Sequence, residues 1–251
     1  MYDRQNLVAL SKLSIGNQNK QPITTVNNKV RSNIINKLSD VINDDRIERL
    51  HEVLNQRTRF ITVVLDDIYQ PQNSSAVIRT CECIGIQDLH LIEDRNEHKT
   101  NRDVVKGSSK WINLIHHKND RVDCIKKLKA DDYKIVAMTL SENSIPLEAL
   151  PINEKLALCF GCEETGLDKD IENNADYKVQ IPISGFTQSY NISVSAGISL
   201  YYLYNKIKDS DQNWQLNDKE KEELLIEWLS NSTPTGKVLL DKFTNEIEKI
   251  N

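Results

Sequence analysis

The stretch FITVVLDDIYQPQNSSAVIRTCECIG, residues 60–85, joins two different hydrophobic patterns. Its first part, FITVVLDDI (60–68), is a short apolar run rich in β-branched residues, which predicts a buried strand. Its second part, NSSAVIRTCECIG (73–85), predicts a helix with Asn73 or a following serine as N-cap and Gly85 as the C-terminal stop. A buried strand that leads into a helix is the repeating unit of a parallel α/β sheet.

The same alternation continues along the chain. It predicts strands at DLHLIE (88–93), YKIVAMTL (133–140), KLALCFG (155–161) and DYKVQIPI (176–183), and helices at RVDCIKKLKA (121–130) and SYNISVSAGISLYYLYNKI (189–207). The predicted fold class is therefore α/β, with a mostly parallel sheet flanked by helices. Ligands of such sheets bind beyond the carboxyl ends of the strands, so the loops after those ends are the candidate site.

The chain divides into three predicted segments. Residues 1–45 are rich in Asn, Gln, Ser and Lys and form a polar N-terminal extension. Residues 46–208 form the α/β domain, which starts with a helix of its own. Residues 209–251 form a C-terminal helical extension with two amphipathic helices, for which capping the domain is the simplest role.

Composition narrows the class of protein. No apolar run approaches the roughly 18 residues of a membrane span, and the N-terminus lacks the apolar core of a secretory signal, so we expect a cytoplasmic protein. The five cysteines are odd in number and are not spaced as a disulfide framework. Zinc or redox chemistry remains an alternative at the CxxC of Cys159 and Cys162, but buried reduced thiols are favoured and no metal is expected.

The formal net charge of −5 does not by itself indicate a nucleic-acid-binding protein, because basic residues make the contacts to phosphate. Local distribution matters more than the total. A basic cluster follows the second predicted strand, and it consists of Arg95, Lys99, Arg102, Lys106 and Lys110. For any single one of these residues, a solvated surface is the better explanation.

The first strand-end motif is PQNSSAVIRT (71–80), which has none of the glycines that a phosphate-binding loop requires. It offers the Asn73 amide and, six residues later, Arg79. Apolar neighbours predict that Arg79 is partly buried, where a guanidinium needs a partner. The alternatives are an internal salt bridge and recognition of an anion.

The second motif is LCFGCEETGL (158–167), in which Gly161 and Gly166 frame Glu163 and Glu164. It lacks the Lys-Ser/Thr of a nucleotide-binding P-loop, and its carboxylates suit a cation or a hydroxyl donor better than a phosphate. A surface turn is the simpler alternative.

The third motif is IPISGFTQSYNISVSAGISL (181–200), in which a strand and a glycine loop precede a helix that we expect to start near Ser189. Ser189 and Asn191 are good N-caps, and the same small polar groups could meet a ligand at the helix start.

Together and in this order, the motifs resemble those of the SPOUT-class RNA 2′-O-methyltransferases. NxxAxxR matches Asn73 to Arg79, FGxExxGL matches 160–167, and IPxxGxxxSxNxSVxxxI matches 181–198. KGSSKW (106–111) also resembles the segment after the second strand of that family. The likeness covers about residues 46–205 and is strongest to the tRNA guanosine-2′-O-methyltransferases of the TrmH type.

The resemblance implies a C-terminal deep trefoil knot, a homodimer, and S-adenosylmethionine as the methyl donor to a ribose 2′-hydroxyl of RNA, with tRNA favoured. The implied catalytic residues are Asn73, Arg79, Glu163, Ser189 and Asn191. The implied cofactor-binding residues are Thr139, Leu140, Gly161, Ile181, Ser189 and Tyr190, where Tyr190 replaces the leucine usual in the family.

The family assigns proton removal from the hydroxyl to the arginine, here Arg79. A guanidinium stays protonated near neutral pH, so binding the phosphate and stabilising alkoxide charge is an easier role for it. Three alternatives remain: a ribosomal-RNA methyltransferase of the same class, a catalytically silent RNA-binding relative, and a nucleotide-binding doubly wound protein. The C-terminal helices could also extend the dimer interface or touch RNA.

Overall fold

The computed structural model of the protein describes residues 28–97, 101–105 and 107–250, and contacts divide these residues into two compact units. The larger unit spans 58–214, and the smaller unit combines 28–57 with 215–250. This division differs from the predicted segments 1–45, 46–208 and 209–251, because helices from both ends of the chain pack together. Much of the predicted polar extension, residues 1–27, lies outside the described residues.

The larger unit is built on one sheet of seven parallel strands in the order β3-β2-β1-β6-β4-β7-β5. The strands are β1 (Ile61–Asp66), β2 (Asp88–Glu93), β3 (Asn113–Lys118), β4 (Tyr133–Met138), β5 (Ile145–Pro146), β6 (Lys155–Phe160) and β7 (Tyr177–Gln180). The predicted mostly parallel α/β sheet is confirmed. All six residues of β1 are buried, as expected for a central strand covered on both faces.

Helices cover both faces of this sheet. The helices α3 (Pro71–Ile84) and α7 (Ile192–Lys208) pack on one face, where Val77, Ile78 and Leu200 join the buried core. The helices α5 (Arg121–Ala130) and α6 (Lys169–Asn174) pack on the other face. A short helix α4 (Arg102–Val105) and a turn of 3₁₀ helix (Ser108–Lys110) precede β3.

Two details of these elements differ from the sequence predictions, and a third agrees with them. β3 was not predicted, because its sequence NLIHHK mixes polar and apolar residues. The helix α3 begins at Pro71, with Gln70 rather than Asn73 or a serine as N-cap, since proline is well suited to the first helical turn. Gly85 ends the helix as predicted, with a left-handed φ of 97°.

The smaller unit consists of α1 (Asn28–Ser39), α2 (Asp44–Leu54), α8 (Asp218–Ser232) and α9 (Gly236–Ile250). The two predicted C-terminal amphipathic helices are confirmed as α8 and α9. Trp228 of α8 is 1% exposed, and the guanidinium carbon of the buried Arg57 lies 5.1 Å from the centre of the Trp228 ring. Among the described residues, no helix is long and apolar enough to cross a membrane.

Two adjacent carboxylates end the central strand β1, and each fixes a different neighbouring loop. Asp66 is buried; its carboxylate accepts a hydrogen bond from Arg121 Nε at 2.8 Å and from the backbone N–H of Asp168 at 3.0 Å. Burial raises the pKa of Asp66 despite these donors. Asp66 thereby ties the loop after β6 to the end of β1.

Asp67, which has a left-handed φ of 52°, ties the loop after β2 to the end of β1. Its Oδ1 accepts the backbone N–H groups of Asp94, Arg95 and Asn96 at 3.2, 2.9 and 2.8 Å, and its Oδ2 accepts Arg95 Nε at 2.9 Å. Burial alone would raise the pKa of Asp67, but these donors outweigh it and hold the pKa below its usual value.

We expect Asp67→Ala to destabilise the protein by about 2 kcal/mol or more, because three backbone N–H groups lose their acceptor. Asp67→Asn keeps an acceptor oxygen and tolerates the left-handed backbone, so it is the milder variant. The wild-type advantage over Asp67→Asn should be complete above the unfolded pKa of about 3.9 and disappear as pH falls through the lower folded pKa. Urea unfolding between pH 7 and pH 2 measures both effects; an advantage that grows on acidification would contradict this assignment.

Candidate active site

The candidate site lies at the carboxyl edge of the sheet, where the strands β1, β6, β4 and β7 are consecutive neighbours. The loops that carry the three sequence motifs therefore begin side by side. Strand order could not be read from the sequence, since β6 inserts between β1 and β4. Once that order is known, the position of the motifs at strand ends brings them together.

The Asn73 side chain joins all three motif loops. It is 7% exposed, on the first turns of α3. Its amide nitrogen donates to Glu163 Oε1 in the loop after β6, and its oxygen accepts from Asn191 Nδ2 at 3.2 Å. One amide thus uses both its donor and its acceptor to connect the second and third motifs to the first.

Asn191 is held in turn by the helix that it starts. It is the N-cap of α7, and its Oδ1 accepts the backbone N–H of Ser193 at 2.9 Å and the Ser193 hydroxyl at 2.6 Å. The helix begins at Ile192, three residues after the expected start near Ser189, and of the two predicted N-caps Asn191 is confirmed. Ser189 lies exposed in the preceding loop, and its side chain makes no hydrogen bond within the described residues.

Arg79 does not join this cluster. It lies on the outer face of α3, in line with exposed Gln72 and Cys83, so the expected partial burial is wrong. Its guanidinium makes no hydrogen bond or ion pair within the described part of the chain. The physical reason is helical geometry: six residues place Arg79 about 120° around the helix from Asn73. Of the two alternatives for Arg79, the internal salt bridge is contradicted within the described residues, and recognition of an external anion stays a prediction.

A tight turn presents Glu163. The backbone N–H of Gly166 donates to the carbonyl of Cys162 at 2.8 Å, and Gly166 has a left-handed φ of 72°. Gly161 lies directly beneath this turn, where a Cβ atom would overlap the backbone of Gly166 and Leu167. The two glycines that frame the motif therefore have different tasks, since one turns the chain and the other makes room for the turn.

Four of the six predicted cofactor-binding residues lie at three neighbouring strand ends. Thr139 and Leu140 follow β4, Gly161 follows β6, and Ile181 follows β7. Leu140 is 54% exposed although apolar, whereas the Thr139 hydroxyl donates to Glu172 Oε1 at 2.8 Å and is already committed. Exposed apolar groups beside open strand ends fit an adenosine-like ligand held through its faces and by backbone groups. Tyr190 is 41% exposed, one residue before the Asn191 cap.

An open cleft of about 750 Å³ adjoins Asn73 and is lined by Tyr69, Gln70, Pro71, Gln72, Arg95, Asn96 and Glu97. Tyr69 is 58% exposed there. Arg95 donates to the Thr165 hydroxyl at 3.4 Å, which links the cleft wall to the Glu163 turn. Sequence reasoning missed Asp66, Asp67 and Tyr69 as parts of this site. Two acids directly after a buried strand were the signal that could have indicated them.

Comparison with known proteins defines the class to which this site belongs. The family model described as SpoU rRNA Methylase matches residues 60–201, which all lie in the larger unit. The chain belongs to this family.

A curated relative points to a particular activity within it. The tRNA (guanosine(18)-2′-O)-methyltransferase of Borreliella burgdorferi is 47% identical over 194 residues, which cover 77% of this chain and 88% of that protein.

Solved structures agree on the fold. The crystal structure of the A. aeolicus TrmH/SpoU tRNA modifying enzyme matches with a TM-score of 0.69 at 29% identity, and covers 76% of this chain and 98% of that one. The SpoU methyltransferase AviRb from Streptomyces viridochromogenes, solved in complex with AdoMet, matches with a TM-score of 0.51 at 19% identity. It covers 63% of this chain and 62% of that one, and at this identity the likeness is one of fold.

We expect Gly161→Ala to disrupt the Glu163 turn, because the added methyl group has no space beneath it. The variant should lose about 3 kcal/mol of stability and most of its methyl transfer. Gly185→Ala is the matched control for stability alone, since a Cβ there meets nothing within 4 Å and the backbone needs no positive φ, although Gly185 belongs to the third motif. Denaturant unfolding of both variants and a methyl-transfer assay of Gly161→Ala measure these effects. Equal stability of the two variants would show that the close approach at Gly161 is unimportant.

Proposed function

We propose that this protein transfers a methyl group from S-adenosylmethionine to the ribose 2′-hydroxyl of guanosine 18 in tRNA. The observation that carries the proposal is the hydrogen-bonded junction of Asn73, Glu163 and Asn191, which unites three motif loops at one sheet edge. The B. burgdorferi relative, at 47% identity, supports tRNA over ribosomal RNA. We also propose the cytoplasm as its compartment, because that is where the substrate is found.

The proposed chemistry needs little from the protein beyond placement. When bound, S-adenosylmethionine would supply an electrophilic methyl group and be released as S-adenosylhomocysteine, and the proton of the 2′-hydroxyl would pass to solvent, so the transfer requires no metal. Asn73 and Glu163 hold each other in fixed orientations, and the second carboxylate oxygen of Glu163 can accept a hydrogen bond from the incoming ribose. Asn191 and Ser189 lie in the same loop region. Holding the reacting groups in a fixed orientation contributes a large part of the rate acceleration of an enzyme.

Arg79 is the proposed RNA-binding cation of the site. It is exposed and forms no ion pair within the described residues, so a phosphate can accept two parallel N–H hydrogen bonds from one edge of its guanidinium. Once bound to RNA it would stabilise the charge that develops on the attacking oxygen. Tyr69 in the adjoining cleft offers an aromatic face on which a nucleobase could stack.

For the cofactor, we propose a pocket formed by Thr139, Leu140, Gly161, Ile181, Ser189 and Tyr190. The apolar side chains of Leu140 and Ile181 would pack on the adenine, and backbone groups at the strand ends would bind its polar edge. We further propose that the chain around β6, β7 and α7 is threaded into a deep trefoil knot. The return of α7 across the sheet onto α3 supports it, and an experimental chain path without a knot would contradict it.

A homodimer is the proposed assembly of the larger unit, and α7 provides its contact. Val194, Ile198 and Tyr201 follow one another at helical spacing and are 46%, 39% and 68% exposed. An apolar stripe of this kind on a long helix is typical of an interaction surface. A second copy can cover it with the same stripe, which is the arrangement of a two-fold interface.

The function is tested with purified full-length protein, S-adenosylmethionine and an unmodified tRNA transcript. We expect one 2′-O-methyl group at guanosine 18, located by mass spectrometry of nuclease fragments, and none in a transcript with adenosine at that position. In single-turnover experiments Arg79→Ala should be slower by about 100-fold or more. Its affinity for S-adenosylmethionine, measured by titration calorimetry, should change little.

Controls separate the competing explanations. Lys126→Ala removes an exposed cation from the distant helix α5 and should leave the rate unchanged. Methylation of a ribosomal RNA fragment but not of tRNA would replace the proposed substrate. Binding of RNA and S-adenosylmethionine without transfer would make the protein a silent relative. If Arg79→Lys retains most of the rate, Arg79 acts neither as a base nor as a bidentate ligand.

The dimer is tested by charging the apolar stripe. Val194→Lys combined with Ile198→Lys should convert the dimer into a monomer, because four lysines would face one another across the two-fold axis. Val122→Lys alters another exposed valine, on α5, and should remain dimeric. Sedimentation equilibrium gives the masses. A monomeric wild type, or a double variant with the wild-type mass, would exclude this interface.

A further inference from the structure

Two histidines and a cysteine meet on the α5 side of the sheet, away from the proposed active site. His90 lies on β2, His117 on the neighbouring edge strand β3, and Cys124 on α5. One ring nitrogen of each histidine and the Cys124 Sγ all lie within 4.8 Å of one another. His117 and Cys124 are 7% and 0% exposed, and His90 is largely buried. Three potential ligand atoms from three separate elements therefore converge at one point.

The protonation of the two imidazoles suits a metal ligand. Burial, and then the neighbouring His117, lowers the pKa of His90 to about 4. Burial, and then Lys127, also lowers the pKa of His117. Burial disfavours the charged form of both rings, and the neutral imidazole is the form that binds metal ions. Burial raises the pKa of the Cys124 thiol to about 12, so an incoming ion must release that proton to solvent.

The geometry needs little adjustment to hold an ion. His90 Nδ1 and His117 Nε2 are 3.0 Å apart, and the ring centres are 5.3 Å apart with 21° between the planes, so both nitrogens point along the line between the rings. Two nitrogens at about 2.05 Å from a tetrahedral zinc ion lie roughly 3.3 Å apart. A rotation of each ring would exchange their mutual hydrogen bond for a shared ion and bring Cys124 Sγ into reach.

The charges around the cluster favour a cation. Four carboxylates interact electrostatically with these three side chains, namely Asp66, Asp88, Asp120 and Asp123. The basic residues that do so are Lys127 and His116. Arg121 and Arg59 already neutralise Asp66 and Asp88. Lys127 likewise pairs with Asp123, so Asp120 is the one carboxylate of this group that forms no ion pair within the described residues.

We propose that His90, His117 and Cys124 form a binding site for one borderline-soft divalent metal ion of the Zn²⁺ type. Two imidazoles and a thiolate are ligands that zinc prefers, and water would fill the fourth position. The ion would fasten the edge strand β3 to β2 and α5. Its task is structural and independent of methyl transfer, because the cluster lies on the sheet face opposite α3. The hydrogen-bonded histidine pair with a protonated thiol is the metal-free state of the same site.

The test uses the full-length protein, stripped of metal by a chelator and then reloaded with Zn²⁺ and desalted. Elemental analysis should find about one zinc per chain in the wild type and less than about one-fifth of that in Cys124→Ala and His117→Asn. Loading should also raise the Tm of the wild type by several degrees and leave both variants unchanged. His116→Asn, on the opposite face of β3, and Cys83→Ser, an exposed thiol, are the matched controls and should bind as the wild type does.

Co²⁺ provides a readout that does not depend on whether the variants fold. In the wild type one equivalent of Co²⁺ should produce the visible bands of a tetrahedral ion and a near-ultraviolet sulfur-to-cobalt band, both displaced by Zn²⁺. No tightly bound metal in the wild type would overturn the proposal. So would wild-type zinc content in Cys124→Ala, or loss of zinc only in Cys162→Ser, which would move the ion to the CxxC sequence.

Discussion

The arrangement of the candidate site depends on the two carboxylates that end β1. Asp66 fixes the loop after β6 through the Asp168 N–H, and Asp67 fixes the loop after β2 through three successive N–H groups. β1 lies between β2 and β6 in the sheet, so the pair acts on both sides of the same strand. Loops have few other means of holding a defined shape, because they lack the repeated hydrogen bonds of helices and strands.

Much of the fold could be predicted because its strands are buried and nearly continuous in apolar residues. β1, β2, β4 and β6 lie where the pattern placed them, and α5 matches its predicted bounds. β3 was not predicted, because an edge strand is buried less completely and its sequence NLIHHK carries two histidines in place of apolar residues. The association of both chain ends in one helical unit could not be predicted, since periodicity marks an apolar face and not its partner.

The candidate site could be predicted at the level of residues but not of contacts. Asn73, Glu163 and Asn191 were selected by their motif positions, and the structure brings these three into one hydrogen-bonded group. Arg79 was expected to share that group and instead lies on the exposed face of α3. Its apolar neighbours in sequence suggested burial, but a helix turns successive residues in different directions. A sequence can also hide a cluster altogether. The side chains of His90, His117 and Cys124 meet in the structure, but they come from three elements with no recognisable spacing.

The pairing of β1 with β6 has a consequence for how this chain reaches its native state. β1 is a central strand, yet its pairing partner β6 is synthesised much later, since Ile61 pairs with Leu156, roughly 95 residues further along the chain. One edge of β1 therefore stays uncovered until then. The helices of residues 28–57 wait longer still, until 215–250 have left the ribosome. Loop closure over such separations is slow, and apolar surface stays open while it proceeds. The newly made protein therefore spends its synthesis with its first elements incomplete, the condition in which chaperones matter most.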